Sequence, residues 1–192
     1  PEAVEDECVD DPRPPLPEDG QLGDRVEHAA DARAELGALA HDVVSNMTPL
    51  ALRAGVDLGY STDGREAPVR GDSDAISHAL KNLIENAIIY TQEGGNVWVS
   101  VGNTDGRVVF AVEDNGPGIA ETHWPQIFDR FFRPTPAVGE GCGLGLAIVR
   151  EIAERHGGTV SIEPAQARSQ PPGTRVTLRL PLQAGGISLT QA

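Results

Sequence analysis

Lysine is almost absent. The 192-residue chain has Lys81 and 14 arginines against 29 aspartates and glutamates, a formal net charge of −14. That balance excludes a nucleic-acid binder that works by neutralising phosphates. No GxxxxG run precedes Lys81, so a P-loop is absent as well. Cysteine is equally scarce: Cys8 lies in an acidic stretch and Cys142 between glycines. Such different surroundings suit a reducing compartment rather than a disulfide framework, and the cytoplasm is expected. No apolar run approaches the roughly 18 residues of a spanning helix, and no signal-peptide pattern opens the chain. The chain starts at Pro1 and its single methionine is Met47, so a fragment of something longer is expected. With 39% apolar residues one core of fair size can form, and a second full domain does not fit.

The acidity is uneven. Residues 1–36 hold twelve acids and three arginines, net −9, which leaves −5 for residues 37–192. Pro12, Pro14, Pro15 and Pro17 stand among those acids, with almost no large apolar residue before Leu22. Residues 1–35 therefore read as an acidic, proline-rich tail, 1–20 disordered, with 24–36 a candidate helix. The body spans 36–182, and 183–192 form a second tail.

Within the body two periodicities alternate. Leu36, Leu39, Ala40, Val43, Val44, Met47, Leu50 and Ala51 recur at three- and four-residue steps. That predicts an amphipathic helix to about Ala54, kinked by Pro49 near its end and stopped by Gly55. Val56, Leu58 and Tyr60 alternate, and Val69 marks a second short extended run. From Asp72 or Ser73 as cap, Ile76, Leu80, Leu83, Ile84 and Ala87 line one face of a second helix reaching Thr91. Residues 97–101 and 108–112 read as a hairpin turning near Asn103 to Gly106. A third helix over 144–156 closes on Gly157, and strands 159–163 and 174–180 follow. The pattern predicts an α+β fold, a two-layer sandwich in which helices cover one face of a mixed sheet.

Three segments carry unusual chemistry. Asn82, Asn86 and Tyr90 are four apart and form one row beside the apolar stripe of the second helix. Amide oxygens are neutral hard ligands suited to Mg²⁺; equally, such amides can simply border a core. Glu113-Asp114-Asn115-Gly116-Pro117-Gly118-Ile119 follows an apolar strand. A carboxylate there can accept from a ligand amine beside glycines that permit close approach, and a plain turn needs the same residues. Gly141-Cys142-Gly143-Leu144-Gly145-Leu146 runs into a helix, where bare N–H groups and the positive helix end make an anion site without lysine.

Taken together, the body resembles the catalytic, ATP-binding domain of bacterial sensor histidine kinases, in the GHKL ATPase superfamily. NLIENAIIYT resembles the N box, EDNGPGI the first glycine box, IFDRFFR the F box, GCGLGLAIV the second glycine box and GTRVTLRLP the closing strand. The resemblance implies the Bergerat fold and the cofactors ATP and Mg²⁺. It implies that Asn86 holds the metal with Asn82 near the phosphates, that Tyr90 lies against the nucleotide, and that Asp114 accepts from the adenine amine. Gly116, Gly118 and Ile119 would shape the pocket, and Thr174 would support the adenine side. Gly141, Gly143, Leu144 and Gly145 would wrap the phosphates. Arg130 would approach the γ-phosphate with Arg133 nearby, and Glu85 would activate a phosphoacceptor histidine, although an exposed helix glutamate needs no such role.

Two departures stand out. Many relatives have a lysine or arginine where this chain has Ile89, and the lid between Arg133 and the second glycine box is short. His41-Asp42 tempts as a phosphoacceptor, but the next proline is eight residues on and its helix belongs to the catalytic body. His28, His78 and His123 also lack the motif, and His156 reads as a helix cap favoured by a partly charged imidazole. The phosphoacceptor domain is expected upstream in a homodimeric protein anchored in the inner membrane, this domain being cytoplasmic, without membrane contact, and served by a downstream response regulator. The other readings are a catalytically weak nucleotide-binding regulatory module and an anti-sigma-type serine kinase.

Overall fold

The computed structural model describes residues 33–134, 142–166 and 171–183. Its elements are β1 (Arg33–Glu35), α1 (Leu36–Ala54), β2 (Asp57–Thr62), β3 (Pro68–Arg70), α2 (Ser73–Tyr90), β4 (Asn96–Thr104), β5 (Arg107–Asp114), α3 (Gly145–Arg155), β6 (Thr159–Glu163) and β7 (Thr174–Pro181), with one 3₁₀ turn at Glu121–His123. Five strands form one sheet in the order β2-β4-β5-β7-β6, and β1 pairs with β3 in a small ribbon. Only the β2–β4 pair is parallel in the mixed sheet. Among the described residues no helix is long and apolar enough to cross a membrane.

Residues 33–35 depart from the helical expectation for 24–36. They are extended, with Ala34 opposite Val69, because Glu35 is needed as the cap of α1 and a capping residue stays outside helical φ/ψ. Its carboxylate accepts from Ala38 N at 2.7 Å and from Ala67 N at 2.6 Å, closing the helix and pinning the loop before β3. The strand at 33–35 is thus packed with the body, while 1–32 and 184–192 lie outside the described residues. Pro49 does not end α1, which runs to Ala54 and stops at Gly55 with φ 66°; its fixed φ suits a helix, at the loss of one ladder bond.

One stripe of each helix and one face of the sheet make the core. Ile76, Leu80, Ile84 and Ile88 from α2 meet Val97 and Val99 of β4, Phe110 of β5 and Leu178 of β7, all fully buried. The β4–β5 hairpin turns on Asp105 and Gly106, both at positive φ, the pair that a two-residue hairpin loop demands. The opposite sheet face is covered by its own side chains. Ala111 and Thr177 lie on that face yet are each only 1% exposed. The next cross-strand row runs Gly59, Trp98, Glu113, Arg175, Glu163. The Trp98 ring occupies the space a side chain on Gly59 would need and donates Nε1–H to Ser61 Oγ at 3.1 Å. Arg175 bridges Glu113 and Glu163.

His156 ties the end of α3 to the start of α2. Asp72 N–H can only donate, so Nε2 accepts from it at 3.1 Å, and Nδ1–H is left for Ile152 O at 2.7 Å. This geometry needs the neutral ring, a correction to the partly charged cap expected from the sequence. Replacing His156 with Ala leaves Asp72 N–H without its partner, while Ile152 O keeps the backbone N–H of residue 156. Urea unfolding should show a loss of about 2 kcal/mol; a loss below ~0.5 kcal/mol would show that the bridge contributes nothing.

Candidate functional site

A cavity of about 580 Å³ opens between α2, the sheet and the start of α3. Its floor follows from strand alternation: Val112 and Asp114 of β5 and Thr174 and Val176 of β7 point to the helix side, and all four line it. Asn82, Glu85, Asn86, Ile89 and Tyr90 present the polar edge of α2 to the same space, joined by Gly118, Ile119, Arg133, Gly143, Leu144 and Gly145. Most residues selected from the sequence therefore converge. Gly116 does not line the cavity; it is buried, and its α-carbon lies so close to the Tyr90 carbonyl that a side chain would collide with backbone. Gly141 lies outside the described residues, as do 135–140 of the expected short lid.

Asp114 organises one end. Its Oδ1 accepts from Gly116 N at 2.9 Å and from Thr174 N at 3.2 Å. Burial pushes its carboxyl above the ordinary value, against the opposing pull of those donors and of the Thr174 hydroxyl. The other end gathers amides. Asn82 Nδ2 donates to His78 O at 2.9 Å, and a Cβ placed on Gly145 would sit 3.1 Å from Asn82 Oδ1 and 3.3 Å from Asn86 Nδ2. Gly145 begins α3, with Leu144 as a cap that offers no side-chain acceptor, so the first N–H groups of that helix remain open to an anion. Among the described residues no three His, Cys, Asp or Glu side chains form a metal cluster. Mg²⁺ still fits, because it takes few protein oxygens and completes its shell with water and phosphate, and the Asn82 and Asn86 amides are hard neutral ligands.

Arg130 departs from expectation. It does not line the cavity; its Nη2 reaches Glu151 Oε2 at 3.1 Å on α3. The cause is local: Phe131 takes φ 65°, a conformation costing a residue with a Cβ about 1–2 kcal/mol. Its N–H donates to Gly143 O at 2.9 Å. Arg133, two residues after the turn, does line the cavity. Residues that sequence reading passed over are the floor pair Val112 and Val176, together with Ile127, Phe132 and Ile148. The valines were detectable, since each stands two positions from a selected strand residue on the same face.

Asp114 also yields a stability test. A raised folded-state pKa means that stability present below the unfolded-state pKa is lost as pH climbs through the folded value. At neutral pH the buried charge is therefore a cost. Asp114→Asn keeps an oxygen for Gly116 and Thr174, so the ligand-free variant should melt higher than wild type at pH 7. The gap should narrow as pH falls towards 4. A lower melting temperature at pH 7 would contradict the assignment.

Comparison with known proteins agrees with this geometry. The family described as histidine kinase-, DNA gyrase B- and HSP90-like ATPase matches residues 71–184. The signal transduction histidine-protein kinase/phosphatase MprB of Mycobacterium ulcerans (strain Agy99) is 34% identical over 157 residues, which is 78% of this chain and 31% of that protein. Sensor histidine kinase CusS of Escherichia coli (strain K12) is 41% identical over 135 residues, 69% of this chain and 27% of CusS. The solved mycobacterial sensor histidine kinase MprB superposes with a TM-score of 0.72 at 29% identity, over 81% of this chain and 99% of that one. The chain thus spans about a third or less of the length of these curated relatives.

Proposed function

The chain belongs to the histidine kinase-, DNA gyrase B- and HSP90-like ATPase family, and from that premise we propose that it binds Mg–ATP and transfers the γ-phosphoryl group to a histidine on a separate helical domain. One observation carries the reading. The Asn82 and Asn86 amides meet the open N-terminus of α3 at Gly145, while the Asp114–Thr174 acceptor lies on the cavity floor. That arrangement suits a ligand with an amine at one end and phosphates at the other.

Asp114 accepts from the adenine amine, with Thr174 holding that carboxylate and Gly116, Gly118 and Ile119 shaping the surround. Tyr90 packs along the nucleotide. Asn86, with Asn82 beside it, would hold Mg²⁺, which when bound would supply charge neutralisation among the phosphates. The N–H groups of Gly143, Leu144 and Gly145 stabilise the transferring group. Arg133 is the only cation among the described lining residues, against Glu85 and Asp114, so it is the guanidinium that meets the terminal phosphate. As the bond from phosphorus to the β-phosphate oxygen breaks and a nitrogen–phosphorus bond forms, Glu85 accepts the proton of the attacking imidazole. The acceptor histidine belongs to a further domain of a homodimeric sensor, this domain lying on the cytoplasmic side, with a response regulator as the next acceptor.

A weak regulatory module is the second reading, and Ile89 favours it. This isoleucine lines the phosphate-side wall yet is 43% exposed, so that wall offers apolar surface where a cation would attract phosphate. Ile89→Lys should tighten ATP binding about tenfold, the effect of one charge-assisted hydrogen bond of ~1.5 kcal/mol. Fluorescent-nucleotide displacement measures it. Asn86→Ala should abolish phosphotransfer to a supplied acceptor domain, and retention of transfer would sink the kinase reading. The phosphorylated product should be acid-labile phosphohistidine; acid-stable phosphoserine would favour the serine kinase.

A further inference from the structure

The turn after Ile127 sends two arginines to opposite sides of a single residue. Phe131, at φ 65°, separates Arg130, which reaches α3, from Phe132, Arg133 and Pro134, which line the cavity. A left-handed conformation is not one that phenylalanine adopts for its own sake. Contacts on both flanks hold it. On the α3 flank, Asp129 pairs with Arg150 at 3.5 Å and Arg130 with Glu151 at 3.1 Å, while the second Glu151 oxygen is held by Arg155 at 2.8 Å. On the cavity flank, Phe131 N–H donates to Gly143 O. The Gly143 α-carbon also packs so tightly on the Phe131 and Phe132 backbone that a Cβ would collide. Glu151 lies six residues along α3 from Gly145, about 9 Å of helix rise. A guanidinium held there is well removed from the N–H groups at the phosphate end.

We infer that Arg130 and Glu151 form a positioning clamp: the pair fastens the turn to α3 and so sets where Arg133 stands relative to the terminal phosphate. The inference rests on the nucleotide reading above and deepens it. Arg130 touches no phosphate in this arrangement; it acts through the backbone of Phe131. Arg155 keeps the Glu151 carboxylate oriented, and because all these side chains are on the surface the clamp acts by geometry rather than by strength.

The present chain is sufficient for the test. Affinities for ATP and for ADP, each with Mg²⁺, are measured by calorimetry for wild type, Arg130→Ala, Glu151→Gln, the double variant and Arg133→Ala. ADP lacks the terminal phosphate, so the ratio of the two affinities isolates the contact in question, and an unchanged ADP affinity shows that the variant is folded. Arg133→Ala should remove the preference for ATP. Arg130→Ala and Glu151→Gln should each lower the ratio about two- to fivefold, the span of an exposed ion pair, and the double variant should lose no more than either single one. The sign for Glu151→Gln is decisive. If Arg130 itself met the phosphate, releasing it from Glu151 would raise the ratio, and that result overturns the clamp. Unchanged ratios in both single variants, with Arg133→Ala still losing the preference, overturn the clamp and leave the nucleotide reading intact. An unchanged ratio in Arg133→Ala defeats both the clamp and the phosphate role of Arg133, and a wild-type chain that binds neither nucleotide defeats the whole reading.

Discussion

Backbone N–H groups and amide oxygens act only at close range, and Arg133 is the single cation among the described residues that line the cavity. Close range dictates the rest. Gly145 has to be bare for the Asn82 and Asn86 amides to approach the start of α3, and α2 and α3 must lie side by side for the two to meet. His156 secures that arrangement from the far end of α3 by bonding the backbone at Asp72, directly ahead of α2. A bridge remote from the cavity thus bears on the geometry within it, because both helices are rigid over their lengths.

The opposite end of the cavity obeys the same rule with another cost. Asp114 is half-buried and its carboxyl is raised by that desolvation, so the fold accepts an ionised group in an unfavourable place. Two backbone donors, from Gly116 and Thr174, limit the penalty and fix the direction of the carboxylate. The left-handed Phe131 is a second local sacrifice. Asp114 lines the cavity and Phe131 directly precedes the lining residue Phe132, and such a site is where a structure that is otherwise locally consistent is expected to depart from its own preferences.

Much of the architecture was legible because it is periodic. The apolar steps in 36–51 and 76–87, the alternation in 97–101 and 108–112, and the turn chemistry at Asp105-Gly106 each reflect a local rule, and the elements formed where those rules place them. Residues 33–35 were misread because their extended form depends on pairing with β3, where Ala34 lies opposite Val69, 35 positions away. His156 caps its helix as expected, but the bond that its ring accepts from Asp72, 84 positions away, could not be read locally. The amide row, Asp114 and the glycines could be selected as chemistry, yet nothing local said that they enclose one space.

The chemical inventory is legible in the residues alone: acid in excess, one lysine, amides at four-residue spacing, and glycines placed before a helix and after a strand. So are the elements, since helix and strand periods are properties of neighbouring residues. The tertiary structure alone decided which groups meet. It brought α2 against the start of α3, put Val112 and Val176 on the cavity floor, and directed Arg133 inward while Arg130 turned out to Glu151. Three positions separate those arginines, and their spacing carries no record of which way each faces. That choice depends on one backbone angle at Phe131, held by Gly143 on one side and α3 on the other.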